Sequence, residues 1–237
     1  MKYKAILFDM DGTLLPMDME AFTKGYFKGL SAKLAKYGIE PEALVQAVWT
    51  GTKAMVKNDG TCSNETAFWR VFEQTTGLKM EQVNPDCIDF YGNEFEAAKA
   101  YTGENPLAVE AVRIAHEKAD KVVLATNPIF PLVGQKTRMG WVGLCPEEFD
   151  LVTSYESDGY CKPNPSYFLS ICERLDVKPQ ECLLIGNDEG EDMYAGTLAG
   201  LDCYLVTDCR IDNLEHPWNG KQGTFVEMVD MLAGLWE

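Results

Sequence analysis

The sequence predicts an α/β fold, a doubly wound parallel sheet interrupted by an inserted α-helical domain, and three observations carry that expectation. After about residue 100, short apolar runs alternate with helical patterns, as strands joined by crossover helices do. Between the first apolar strand and the second lie more than a hundred residues, far too many for a crossover loop, and their composition is helical and aromatic rather than low-complexity. The first strand also runs straight into two acids, Asp9 and Asp11, at the end where open α/β sheets collect ligands.

Taken in order, strands are expected near 3–9, 120–126, 150–155, 182–187 and 203–207. Inside the insertion, helices are expected over Met19 to Tyr37, Pro41 to Met55, Ser63 to Thr75 and Val83 to Tyr101, with Ser63 as an N-cap and Glu65 as an acid in the turn that follows. The expected division is a core of residues 1–15 and 101–237 and a helical cap of residues 16–100. No internal repeat is evident.

Four segments carry chemistry. In Asp9-Met10-Asp11-Gly12-Thr13, residues i and i+2 of an extended chain point the same way, so both carboxylates can face one pocket. Gly12 permits a sharp exit, and Thr13 can lend a hydroxyl or amide to an anion. Lys121 to Asn127 is a strand ending in Thr126, whose hydroxyl, with the next backbone N–H, can hold an oxygen without adding a charge; Pro128 restricts Asn127 to extended geometry. In Cys161-Lys162-Pro163-Asn164-Pro165, Lys162 offers a point charge on a flexible stem, its approach stiffened by Pro163. Cys182 to Asp188 is a buried-looking strand ending in Asp188, with Asp192 four residues on, and such clustered acids call for a metal. Glu189 and Glu191 read as a negatively charged helix start without a catalytic role.

These four segments, in this order, resemble the motifs of the haloacid dehalogenase-like phosphohydrolases, whose first motif is Asp-x-Asp-Gly-Thr after an apolar strand. The resemblance covers residues 1–15 and roughly 100–210; over the cap it extends to placement and helical character only. It implies a Rossmann-like core and a Mg²⁺-dependent phosphatase. Asp9 is implied as the nucleophile, Asp11 as the acid and base, and Thr126, Asn127 and Lys162 as holders of the phosphoryl group. The implied metal set is the Asp9 carboxylate, the Asp11 carbonyl and Asp188, with Asp192 orienting its neighbours. A dehalogenase of the same superfamily has no need of Asp11. A phosphomutase on the same scaffold, or a non-catalytic binding protein, are the other readings.

Composition agrees. A chain of 237 residues with 46% hydrophobic content can bury a sizeable core. No run approaches the roughly 18 apolar residues of a spanning helix, and no signal-peptide pattern opens the chain, so a cytoplasmic address is expected. Eight cysteines without a Cys-x-x-Cys pair read as reduced packing residues. A net charge of −16 argues against nucleic acid and anionic membrane partners, leaving a small phosphorylated metabolite as the expected partner. Screening beyond roughly 8 Å lets Mg²⁺ and Lys162 govern the local field. Trp49, Lys53, Lys57, Asn58, Trp69 and Arg70 are candidates to line a substrate pocket, although aromatics at helical spacing more often pack as core. His116 and His216 have no motif support.

Overall fold

The computed structural model describes residues 3–235; the outermost ends of the expected core, residues 1–2 and 236–237, lie outside it. Six parallel strands form one sheet in the order β3-β2-β1-β4-β5-β6. They are β1 Ala5–Phe8, β2 Lys121–Leu124, β3 Leu151–Val152, β4 Cys182–Gly186, β5 Asp202–Val206 and β6 Gln222–Gly223. The central strands β1 and β4 are apolar and buried without interruption, as strands covered on both faces must be. Alternate residues serve opposite faces. Ile6 and Phe8 join the core under α5 (Ala108–Lys118), α9 (Phe225–Ala233) and the insertion, whereas Ala5 and Leu7 pack against α7 (Ser166–Leu175) and α8 (Ala195–Ala199).

The doubly wound sheet is therefore as expected, with shorter strands: the run expected over 150–155 pairs for two residues only, and β6 had no apolar pattern to announce it. Between β1 and β2 lie α1 (Met19–Leu34), α2 (Pro41–Val56), α3 (Asn64–Thr76) and α4 (Met80–Gly92). Ser63 caps α3 by accepting from the Thr66 N–H at 3.2 Å. The helix expected over Val83 to Tyr101 is two pieces. It starts earlier, where Gln82 accepts from the Lys79 N–H and Glu73 from the Met80 N–H, and breaks at Asn93, after which a 3₁₀ run covers Glu94–Tyr101. Likewise α1 stops at Leu34, and a 3₁₀ turn, Ala35–Tyr37, carries the chain to left-handed Gly38. The two stems of the insertion meet at an antiparallel bridge between Met17 and Thr102, with the Gly103 N–H donating to the Pro16 carbonyl at 2.6 Å.

Among the described residues, no helix is long and apolar enough to cross a membrane. The helix α6 (Leu132–Trp141) completes the α/β core beside the insertion.

Candidate active site

The order of strands brings the four motifs together at the carboxyl edge of the sheet. The order in which strands are added reverses at β1, whose parallel neighbours are β2 and β4, so the residues that follow these three strands share one crevice. Asp9 is anchored by its N–H, which donates to the Ile185 carbonyl at 2.9 Å. Lys162, wholly buried, donates from Nζ to Asp9 Oδ1 at 2.7 Å and to Asp192 Oδ1 at 2.6 Å. Burial works against this ammonium, but the carboxylates of Asp192 and Asp9 prevail and hold its pKa well above the ordinary lysine value. The Thr13 hydroxyl lies 3.3 Å from Asp9 Oδ2 and donates to Asn187 Oδ1 at 3.0 Å. Gly12 has φ +88°, and a Cβ there would strike the Asn187 carboxamide, so the turn after Asp11 requires glycine.

After β4 the chain forms a wide π-helical turn, Glu189–Tyr194, rather than the expected ordinary helix start. Asp188 Oδ1 accepts from the Gly190 and Glu191 N–H groups at 2.7 and 2.8 Å. Asp192 turns back beneath it: Oδ2 accepts from the N–H groups of Asn187 and Asp188, both at 3.1 Å. Burial pushes the Asp192 carboxyl up to about 7 despite Lys162. Gly186 makes room for this, since a Cβ there would collide with the Asp192 carboxylate.

Thr126 is buried at the end of β2, and its carbonyl accepts from Thr153 Oγ1 at 2.7 Å and from the Tyr167 hydroxyl at 2.8 Å. Asn127 donates from Nδ2 to Glu191 Oε2 at 2.9 Å, while its Oδ1 is buried without a partner. Asp9, Asp11, Thr126, Asn127, Asp188 and Asp192 all line one cavity of about 330 Å³ that rises into the insertion. The structure thus collects every motif residue; Lys162 stands behind Asp9 rather than on the cavity wall.

Two residues escaped the sequence reading. Arg138 of α6 is wholly buried, pairs with the Asp11 carboxylate and with Gln135 Oε1, and lies 4.4 Å from the centre of the Phe130 ring. Burial raises the Asp11 pKa and Arg138 pulls against it, with the Asp9 charge adding to the rise. Lys136 two positions earlier offers a similar cation in the same helix, and the partner of Arg138 lies 127 positions away, so nothing local singled Arg138 out. Glu191, set aside as a helix-start acid, lines the cavity, and burial pushes its carboxyl up to about 8, with Asp188 and Asp192 contributing. Glu189 points elsewhere: it accepts from the Asn213 and Trp218 N–H groups and pairs with Arg210, tying down the following loop. Of the candidates in the insertion, Trp49 and Trp69 line the cavity, whereas Lys53, Lys57, Asn58 and Arg70 do not.

Among the described residues, no three His, Cys, Asp or Glu side chains are grouped to enclose a metal ion. The hard-oxygen set present here, two carboxylates (Asp9, Asp188) and the Asp11 carbonyl, nonetheless fits Mg²⁺, which takes one or two carboxylates and keeps its water. Asp188 has one oxygen engaged by N–H donors, and Asp9, Asp188, Glu191 and Asp192 all line the same cavity floor.

The fold and this crevice define a hydrolase of a known class. The chain belongs to the haloacid dehalogenase-like hydrolases, whose family model matches residues 3–200. It is similar to the glyceraldehyde 3-phosphate phosphatase of Methanopyrus kandleri, 24% identical over 90% of this chain and 87% of that one. It is also similar to the N-acetylmuramic acid 6-phosphate phosphatase of Pseudomonas aeruginosa, at 28% identity over 98% and 96% of the two chains. In fold it resembles a HAD phosphatase from Thermococcus onnurineus, with a TM-score of 0.61 and 20% identity over 98% of both chains. A 2-haloacid dehalogenase from Pseudomonas syringae gives 0.62 at 15% identity over 99% of this chain and 100% of that one. The chain is thus an enzyme of the hydrolase class with phosphatases as named relatives.

Proposed function

We propose that this protein is a Mg²⁺-dependent phosphohydrolase that cleaves a small phosphorylated metabolite through an aspartyl phosphate on Asp9. The observation that carries the reading is Asp9 itself: a carboxylate at the mouth of the central strand, on a cavity floor, with an ammonium fixed at 2.7 Å. An Asp9 oxygen attacks phosphorus, the bond from phosphorus to the substrate's alcohol oxygen breaks, and Asp11 gives that oxygen a proton. Asp11 then takes a proton from water as the water attacks phosphorus and the bond from phosphorus to Asp9 breaks, releasing phosphate and restoring the Asp9 carboxylate and the protonated Asp11. The raised pKa of Asp11 suits a group that must be protonated for the first step. Thr126, Asn127 and Lys162 hold and balance the phosphoryl oxygens, and Asp192 positions Lys162 and the Asp188 backbone.

Members of this family of phosphatases generally use Mg²⁺, which supplies charge neutralisation between the nucleophile and the phosphate dianion. Asp9, Asp188 and the Asp11 carbonyl would hold it. Residues 16–100 act as a cap over the core of 1–15 and 101–237, excluding water and contacting the substrate's alcohol portion. The test is phosphate release from p-nitrophenyl phosphate and a metabolite panel, with Mg²⁺ and with chelator, beside Asp9→Asn. Release that requires both Mg²⁺ and Asp9 is expected; equal release by the variant, or rearranged phosphate esters without free phosphate, would overturn the reading.

A further inference from the structure

We propose that the alcohol carried by the substrate's phosphate is an elongated, uncharged hydrocarbon chain rather than a polyhydroxylated sugar or a second acid. The inference rests on the phosphatase reading above and concerns only the upper part of the same cavity. Its wall includes one stripe of α1, namely Met19, Phe22, Tyr26, Leu30 and Leu34, spaced by about one helical turn. Fifteen residues separate the first from the last, so at ~1.5 Å per residue the stripe runs for roughly 22 Å. Facing it are Val48 of α2 and Phe68 and Phe72 of α3. The far end is closed, with Leu30 and Leu34 buried, while Met19 and Trp49 are exposed. A globular ligand does not need so long a wall, and an extended chain does.

Four of the hydroxyls along this wall are already spent. Thr23 Oγ1 donates to the Met19 carbonyl at 2.7 Å, and Thr52 Oγ1 to the Val48 carbonyl at 2.9 Å. The hydroxyls of Tyr26 and Tyr91 bond to each other at 2.7 Å. Sugar hydroxyls brought here would lose water and find few partners, a penalty of the kind that buried unpaired polar groups incur. The indole N–H of Trp69 is buried without an acceptor, and the Tyr155 hydroxyl also lines the wall, enough for an isolated oxygen on the chain.

Charge points the same way. None of the lining residues is Lys, Arg or His, and the floor below carries Asp9, Asp11, Asp188, Glu191 and Asp192. A carboxylate or second phosphate on the substrate would be desolvated without a counter-charge and would face those acids.

The deciding experiment is a kcat/KM series on ethyl, butyl, hexyl, octyl and decyl phosphate, below micelle-forming concentrations, beside a hexose 6-phosphate and phosphoglycolate. From ethyl to octyl, kcat/KM should climb with each methylene by up to about fourfold, the factor that burying one such group can supply. Octyl phosphate should exceed phosphoglycolate by at least ~10-fold. In Leu30→Trp, which shortens the channel from its closed end, the ratio of decyl to butyl phosphate should fall below that of the unmodified protein. If that variant does not fold, tryptophan fluorescence of Asp9→Asn titrated with octyl and butyl phosphate reads the same preference, with the octyl ester binding more tightly. Turnover of the short or sugar esters with no gain along the series overturns this inference and leaves the phosphatase reading standing. No release from any ester overturns the phosphatase reading, and tight octyl phosphate binding would then still support the apolar channel.

Discussion

The floor of the cavity and its upper wall are built on opposite principles. On the floor, charges outnumber apolar groups and each is fixed by a partner: Lys162 by Asp9 and Asp192, Asp11 by Arg138, Asp188 by two N–H groups. Along the wall, hydrocarbon dominates and the threonine hydroxyls are tied to their own helices. On the function proposed above, the contrast places the reaction at the sheet's carboxyl edge and the choice of substrate in the inserted helices. A charged site needs rigid donors, which strand ends provide, whereas an apolar wall needs only shape.

Breaking the floor should produce the largest effects. Asp9→Asn should lower phosphate release by at least ~10⁴-fold while circular dichroism and melting stay close to the parent, because it removes the attacking oxygen and little volume. Lys162→Met should cost about 3–5 kcal/mol of stability by denaturant melts, since Asp9 and Asp192 would then be buried without their cation. An unchanged midpoint would show that the two acids are compensated by something else.

Arg138→Met tests whether the floor extends into α6. Turnover should drop by about 10²-fold, the usual worth of a well-placed acid. Because Arg138 opposes the rise in the Asp11 pKa, its loss should also move the alkaline limb of kcat/KM upward in pH, which a purely structural defect would not do.

Glu191→Gln is subtler and concerns stability against pH. With its carboxyl pushed up from 4.5 to about 8, folded Glu191 keeps its proton in a window where the unfolded chain has released it. The folded state binds more protons there, so in chelator stability falls as pH rises through that window. Melts at pH 5, 6.5 and 8 should show a shallower decline for the glutamine variant; identical slopes would remove the titration from the account. The smallest effect is expected from Thr52→Val on the wall, less than about threefold in kcat/KM, because the hydroxyl it deletes bonds only to its own helix.

Much of the fold was legible because burial on both faces writes itself as unbroken apolar runs, as in Ala5 to Phe8 and Cys182 to Gly186. The Ser63 cap was legible because a cap is a local bond. The break at Asn93 and the two-residue strand β6 were not, since neither leaves a periodic pattern over so few residues.

Sequence alone determined the acids, the hydroxyl and the lysine that meet at Asp9, because each closes a strand or loop with its own pattern, and their order along the chain is itself informative. Only the tertiary structure decided that Arg138 finds Asp11, that Glu191 turns into the cavity and that Lys53, Lys57 and Arg70 turn away from it. Those outcomes depend on which faces of distant helices the sheet brings together, and helical periodicity reports that a face is buried without saying what it is buried against.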